Sequence, residues 1–161
     1  MRTEFRQTEP EREWRSLMAF DRRIFPPGDC FSGSWWRSLE SYWLLVNGKK
    51  AGCCAFERHT GFGEADCTPE PGTLYIASTG IAQEWQGRGL GRLMKAWQLC
   101  FAQEHGFRRV VTNIRRKNRA MYHLNVEFGF RVVSTLPGYY LDPPDATIVM
   151  ERKLRSRRKS Q

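Results

Sequence analysis

The segment Gln86-Gly87-Arg88-Gly89-Leu90-Gly91-Arg92 constrains this chain more than any other. Ahead of it, residues 73–81 carry the apolar, β-branched character of a strand. Behind it, Leu90, Leu93, Met94, Trp97 and Phe101 repeat at the i, i+3, i+4, i+7, i+11 spacing of an amphipathic helix that ends near Gly106. Three glycines at such a junction let the backbone approach a bound anion closely, and the unpaired N–H groups of the helix start point outward. The helix dipole, with Arg88 and Arg92 beside it, favours a pyrophosphate there. The turn is not a P-loop, because no Gly-Lys-Ser/Thr follows. Its GxGxG spacing, after an intervening Glu84-Trp85-Gln86, is not the GxGxxG of a dinucleotide fold. A tight strand-to-helix connection without ligand is the plain alternative.

The rest of the chain reads as a mixed fold. A short strand is expected over residues 3–6, and a helix over 10–20 with Trp14, Leu17 and Met18 on one side. A second short helix opens at Ser34. Residues 42–46 and 50–58 form a hairpin about Asn47-Gly48. Further along come a strand over 109–114, a helix through Met121, Leu124 and Phe128 stopped by Gly129, and strands over 130–136 and 146–154. Breaks are expected at Pro26-Pro27-Gly28, across 60–72, at Pro137-Gly138 and at Pro143-Pro144. The strand–helix–strand–helix–strand order of the second half predicts an α/β sheet with at least one parallel crossover.

With 161 residues, 40% hydrophobic and 13% aromatic, the chain has the length of one domain and enough apolar surface for a core. No apolar run approaches the ~20 residues of a membrane span, and the first residues lack the apolar stretch of a secretory signal. Five cysteines (Cys30, Cys53, Cys54, Cys67, Cys100) without a CxxC pair argue against a disulfide framework or a zinc site, and predict a cytoplasmic setting. Of the net charge of +9, six positive charges sit on Arg152, Lys153, Arg155, Arg157, Arg158 and Lys159, leaving +3 for the rest. That body suits a phosphorylated small ligand. The basic end is either a solvated terminus or a contact for RNA or a ribosome surface.

Residues 74–91, LYIASTGIAQEWQGRGLG, resemble motif A of the GNAT superfamily of N-acetyltransferases, and residues 118–130, NRAMYHLNVEFGF, resemble that family's second block ending in Gly-Phe. Ile24-Phe25-Pro26, Leu74-Tyr75-Ile76 and Gly138-Tyr139-Tyr140 with Asp145-Ala146 are most similar to protein N-terminal (α-amino) acetyltransferases, including the ribosomal-protein alanine acetyltransferase type. The resemblance covers about residues 20–154. It implies a mixed, mostly antiparallel central sheet with a splayed parallel strand pair, one domain over 1–154, and a basic tail over 155–161.

It also implies acetyl-CoA as acyl donor. Gln86, Gly87, Arg88, Gly89, Leu90, Gly91 and Arg92 would grip its pyrophosphate, and the backbone of Gly80, Ile81 and Ala82 would pair with the pantetheine arm. Asn118 would touch the phosphopantetheine, cap the following helix, or both. Phe25 and Pro26 would wall the pocket for the first acceptor side chain, and the Tyr139 and Tyr140 hydroxyls would hold the peptide backbone.

In this family type a Glu acts as base where this chain has Asn113, and a Tyr acts as acid where it has Asn125. Asparagine does not titrate. Tyr75 matches a Tyr that some relatives in the family use as a base and is by that resemblance the first choice, with Tyr122, His123 and Glu127 as reserves, while Asn113 would hold a water or the acceptor amide. An α-amino group with pKa about 7.8 is roughly one-fifth neutral near pH 7.2, whereas a Lys at about 10.4 is below ~0.1% neutral; the difference is roughly 3.5 kcal/mol of deprotonation. A protein N-terminus thus asks less of a base than a lysine. Acetylation of lysine or of a small amine, and an acyl-CoA-binding module without turnover, are the competing expectations. The assembly is expected to be a monomer or homodimer without membrane contact.

Overall fold

The Asn47-Gly48 pair adopts left-handed backbone (φ +49° and +78°) and joins β2 (Glu40–Val46) to β3 (Lys49–Phe62) as the alternation predicts. The computed structural model describes residues 1–63 and 66–155. With β1 (Thr3–Gln7), β4 (Cys67–Ile81), β5 (Arg109–Arg115), β6 (Arg131–Leu141) and β7 (Pro144–Lys153), these strands form one seven-stranded sheet in the order β1-β2-β3-β4-β5-β7-β6. Only β4 and β5 run parallel. Helices α1 (Pro10–Ile24) and α2 (Gly33–Ser38) pack on one face through Leu17, Phe20 and Trp36 against Trp43, Cys53 and Ala55. On the other face, α3 (Leu90–Glu104) and α4 (Arg119–Glu127) cover a core of Leu44, Phe56, Leu74, Ile76, Val110 and Met150. Each such fully buried side chain contributes about 1.5–3 kcal/mol of apolar transfer.

Several boundaries differ from the sequence expectations for physical reasons. The break expected across 60–72 is a hairpin extension: β3 runs to Phe62 and β4 begins at Cys67. β5 reaches only Thr73, so Pro69 and Pro71 lie on a stretch of β4 with no β5 partner, where a missing N–H costs no ladder bond. Pro137-Gly138 does not end β6; the register shifts between Leu136 and Tyr140, with Gly138 at φ +67°, on the outermost strand of the sheet. α1 runs on to Ile24 and stops where Phe25 precedes Pro26. α2 is capped by Ser32, whose Oγ accepts from Trp35 N at 3.2 Å, rather than opened by Ser34. β7 begins at Pro144, and a 3-10 turn over Gln83–Trp85 separates β4 from the glycine turn.

Two details shape the middle of the sheet. β4 pairs with β5 only through Thr73–Ile76 against residues 109–112, so along 77–81 the β5-facing edge of β4 has no strand beside it. Ala77 is also an extra residue in β4, since Ala55 pairs with Ser78 and Phe56 with Ile76. Leu74, Ile76, Thr79 and Ile81 consequently face α3, while Tyr75, Gly80 and Ala82 face the α1 side.

Candidate active site

The strands part beyond the Ile76–Thr112 pair, and side chains bridge that vertex on both faces. Toward α3, Thr112 Oγ1 donates to the Ile76 carbonyl at 3.2 Å. On the α1 side, the Tyr75 hydroxyl donates to Asn113 Oδ1. Asn113 Nδ2 in turn donates to Thr147 Oγ1 at 3.2 Å and to the Tyr140 hydroxyl oxygen at 3.4 Å, and Thr147 donates to the Ile114 carbonyl at 3.1 Å. Within this chain Tyr140 accepts, so its own hydroxyl hydrogen remains available to a ligand carbonyl. Burial pushes the Tyr75 pKa well above the ordinary phenol value, with Cys67, Tyr139 and Tyr140 adding to it, and burial raises Tyr140 as well. Both phenols keep their protons at neutral pH. Tyr75 is thus a hydrogen-bond donor in the resting site, not the free base the sequence reading expects of it.

A roof covers this cluster. Arg115, two residues beyond Asn113 on β5, makes a bidentate pair with Asp29 at 2.6 Å for both contacts. Its Nη1 also donates to the Pro143 carbonyl at 2.7 Å, and its guanidinium lies 4.2 Å from the Tyr140 ring centroid. Asp29 holds the Arg115 pKa above its usual value. The loop after α1 thereby touches the β6–β7 turn closely enough that a Cβ on Gly28 would lie 2.5 Å from the Asp142 carbonyl oxygen. Phe62 stacks on Tyr75 with ring centroids 5.8 Å apart, and Tyr139 packs edge-on to both Phe62 and Tyr140. Phe25 and Ile24 sit directly on Gly80: a Cβ there would be 3.4 Å from Phe25 Cε2 and 3.0 Å from Ile24 Cδ1. Pro26 accepts through its carbonyl from Asp29 N at 2.9 Å, which shapes the loop.

The glycine turn forms an open concavity. Gly87 and Gly89 have φ of +74° and +77°, and a Cβ on either would meet nothing within 4 Å. Gly89 caps α3 without any side-chain hydrogen bond, leaving the first-turn N–H groups of Leu90, Gly91 and Arg92 turned outward. Gln86 Nε2 donates to the Ile81 carbonyl at 3.1 Å and ties the turn to the end of β4. Arg88 lies over Trp85 and donates to the Glu84 carbonyl, and Arg92 pairs with Glu127. Asn118 caps α4 through Oδ1, accepting from Met121 N at 3.2 Å. The bare amides of this turn and the unpaired 77–81 edge, which ends at the turn through Ala82, suit a diphosphate with an amide-bearing arm.

Of the three expected catalytic residues, Tyr75 and Asn113 are bonded to each other, whereas Asn125 lies on the other face of the sheet. It is fully buried, with Nδ2 donating to Met150 Sδ at 3.6 Å and Oδ1 without a partner. The reserves are no closer. Glu127 is engaged by Arg92, the Arg119 guanidinium covers Tyr122, and His123 is exposed on α4. Arg152 belongs to β7 and donates to the Phe128 carbonyl at 2.7 Å, so it is not part of a tail; Arg157, Arg158 and Lys159 fall outside the described residues.

Sequence reasoning missed Asp29 and Arg115. The period-2 rule from Asn113 puts Arg115 on the same strand face and could have found it. It also missed Asp21, which is 2% exposed; Oδ2 accepts from Phe31 N and Trp36 Nε1, burial raises its pKa, and it lines a cavity of about 10 Å³ beside Phe25, Ser78 and Gly80. That volume holds about one water. Among the described residues no cluster of metal-ligating side chains occurs, and no helix is long and apolar enough to cross a membrane.

A sequence model of the acetyltransferase (GNAT) family matches residues 6–130. No curated protein matches the chain. Among solved structures, the chain is similar to the ribosomal-protein-S18-alanine N-acetyltransferase from Escherichia coli, with TM-score 0.81 and 16% identity over 99% of each chain. It is similar also to the IAA acetyltransferase from Bacillus cereus, with TM-score 0.74 and 15% identity over 95% of this chain and 100% of that one. A third, the GphF GNAT-like decarboxylase in complex with isobutyryl-CoA, gives TM-score 0.77 and 18% identity over 94% and 100%.

Proposed function

The chain belongs to the acetyltransferase (GNAT) family, and we propose that within it the protein transfers acetyl from acetyl-CoA to the free α-amino group of a protein or peptide. The observation that carries this reading is the Arg115–Asp29 pair, which joins the loop after α1 to the β6–β7 turn above Tyr75, Asn113 and Tyr140. A site closed over by two loops in contact suits an acceptor that enters by its end, whereas an internal lysine brings a continuous backbone on both sides of the reacting amine.

Bound acetyl-CoA supplies the activated acyl carbon. The chain's residues do the rest. The amides at Leu90, Gly91 and Arg92 offer hydrogen bonds to the paired phosphates, helped by Gly87 and Gly89, which keep that surface bare. The free edge of β4 and the exposed end of α4 at Asn118 flank the pantetheine arm. Phe25 and Pro26 wall the first acceptor side chain, and the Tyr140 hydroxyl donates to the acceptor's first carbonyl while Tyr139 borders the entrance. Asn113 fixes Tyr75 as a donor at the vertex. With neither 113 nor 125 titratable, the site relies on orientation and on the fraction of an α-amine already neutral at physiological pH, roughly 3.5 kcal/mol easier to supply than a neutral lysine.

The same two asparagines favour one other reading, a module that binds acyl-CoA without turnover. Release of coenzyme A thiol, measured over peptides that differ in their first residue with an amine-blocked control, separates the two. Transfer to free but not blocked amines is expected; no transfer to any α-amine sinks the reading.

A further inference from the structure

One charged group in the core has no counterpart in the scheme above. Lys95 projects from α3 into the interior with 1% exposure, and among the described residues it makes no ion pair. An unpaired buried ammonium costs several kcal/mol, and a leucine or methionine would fill this position on the apolar stripe of α3 without that cost.

Its neighbours locate it over the parted strands. To one side its Nζ lies 5.1 Å from the Phe130 ring, and Phe130 N donates to the Asn125 carbonyl at 2.9 Å. Asn125 contacts Met150, which pairs with Thr112 at the vertex. To the other side stand Cys54, the titratable group that faces Lys95 from β3, and its cross-strand partner Thr79, which accepts from Gln98 Nε2 at 2.8 Å. Lys95 therefore bridges from the β3–β4 side to the β7 side, across the interval where β4 and β5 are apart. Two further polar atoms in the same layer, Asn125 Oδ1 and Gln98 Oε1, are fully buried and unpartnered. Two unpartnered polar atoms and an ammonium without a counter-ion in one layer are bonding capacity that a ligand can take up.

We propose that Lys95 donates the proton that the thiolate of coenzyme A takes up on leaving, supplying from α3 what Asn125 on α4 cannot. The inference rests on the acetyl-transfer reading. As the acceptor nitrogen bonds to the acyl carbon, the carbon–sulfur bond breaks and the sulfur takes a proton from Nζ. The proton lost by the acceptor nitrogen passes to water, and water returns one to the Lys95 amine. Burial supports the assignment by pushing the Lys95 pKa down to about 8, near that of a thiol of about 8.5, so the transfer is close to thermoneutral.

The test uses Lys95→Met in the full chain. With acetyl-CoA, kcat is expected to fall about 100-fold while the melting temperature holds or rises. With an acetyl thioester of a much more acidic thiol, which leaves without help, the loss shrinks to about threefold or less, since general-acid assistance is no longer needed. An equal loss for both donors, or none, overturns the proposal. A second readout needs no acceptor: the ultraviolet absorbance of the thiolate of bound coenzyme A is titrated in wild type and variant. A thiol pKa at least about one unit lower in wild type, as an ammonium beside the sulfur requires, supports Lys95 even if no amine is acetylated; identical titrations overturn it. Failure to bind coenzyme A at all removes both this inference and the reading beneath it.

Discussion

The Tyr75 hydroxyl donates to Asn113 Oδ1 across the vertex where β4 and β5 part, so the two strands are tied by side chains where their backbone ladder ends. Removing the hydroxyl leaves a half-buried amide oxygen unpaired, which costs about 1 kcal/mol or more. Tyr75→Phe is expected to lower the melting temperature modestly and kcat/KM by about 10-fold or more. Thermal melts and steady-state kinetics on one α-amine peptide check both.

Replacing Gly89 (φ +77°) by valine strains the αL backbone by about 1–2 kcal/mol and lays a side chain over the α3 amides. Coenzyme A affinity measured by calorimetry should drop at least about 10-fold. Gly48→Val makes the matching control. It has the same left-handed backbone (φ +78°) in the β2–β3 turn, so stability falls and affinity stays.

Asp29→Asn removes the charge opposite Arg115 in a pair whose side chains are only 14% and 13% exposed. A loss on the order of 3 kcal/mol is expected, less whatever solvent reaches the freed guanidinium. The roof loosens with it. Competition between a free-amine peptide and an amine-blocked, lysine-containing peptide should then show weaker preference for the α-amine than in wild type.

Burial acts to raise the Glu151 pKa, but hydrogen bonds from Arg131 and Arg109 outweigh it and hold the carboxyl below its ordinary 4.5. Between the unfolded and folded values the unfolded chain binds more protons, so stability is full above 4.5 and is lost as pH falls through the folded value. Glu151→Gln should flatten that acid limb in melts recorded from about pH 6 down to 3.

For Lys95 the sign runs the other way. Burial lowers its pKa from 10.5 to about 8, so the ammonium penalises the folded state most below pH 8 and ceases to by 10.5. The stability advantage of Lys95→Met over wild type should be greatest near neutrality and shrink across that window, as paired melts would show.

Much of this was legible in the amino-acid order, and the exceptions share a cause. The glycine turn, the Asn47-Gly48 hairpin and the α3 stripe are local signals, each set by residues within one turn or strand, and all appear where expected. The parallel pair also followed from element order. Pro69, Pro71 and Pro137 misled because proline reads as a break, and only the sheet order reveals that they lie where β4 has no β5 beside it or on the outermost strand β6. The Arg115–Asp29 pair joins residues 86 positions apart, beyond the reach of any local pattern. Asn125 was assigned by its place in a motif, and its orientation toward Met150 depends on packing between α4 and β7. Lys95 passed as one more helical position, because neither its burial nor its isolation is written in its neighbours along the chain.

The surplus residue at Ala77 carries a further consequence. Deleting it would restore regular pairing to Phe56 and Ala55 while Tyr75 and Gly80 kept their present sides. What would vanish is only the local bend. On the proposed reading, deleting Ala77 is expected to weaken coenzyme A binding in calorimetry while every functional group survives, because the edge offered to the coenzyme depends on backbone count and hardly on which side chain stands at 77.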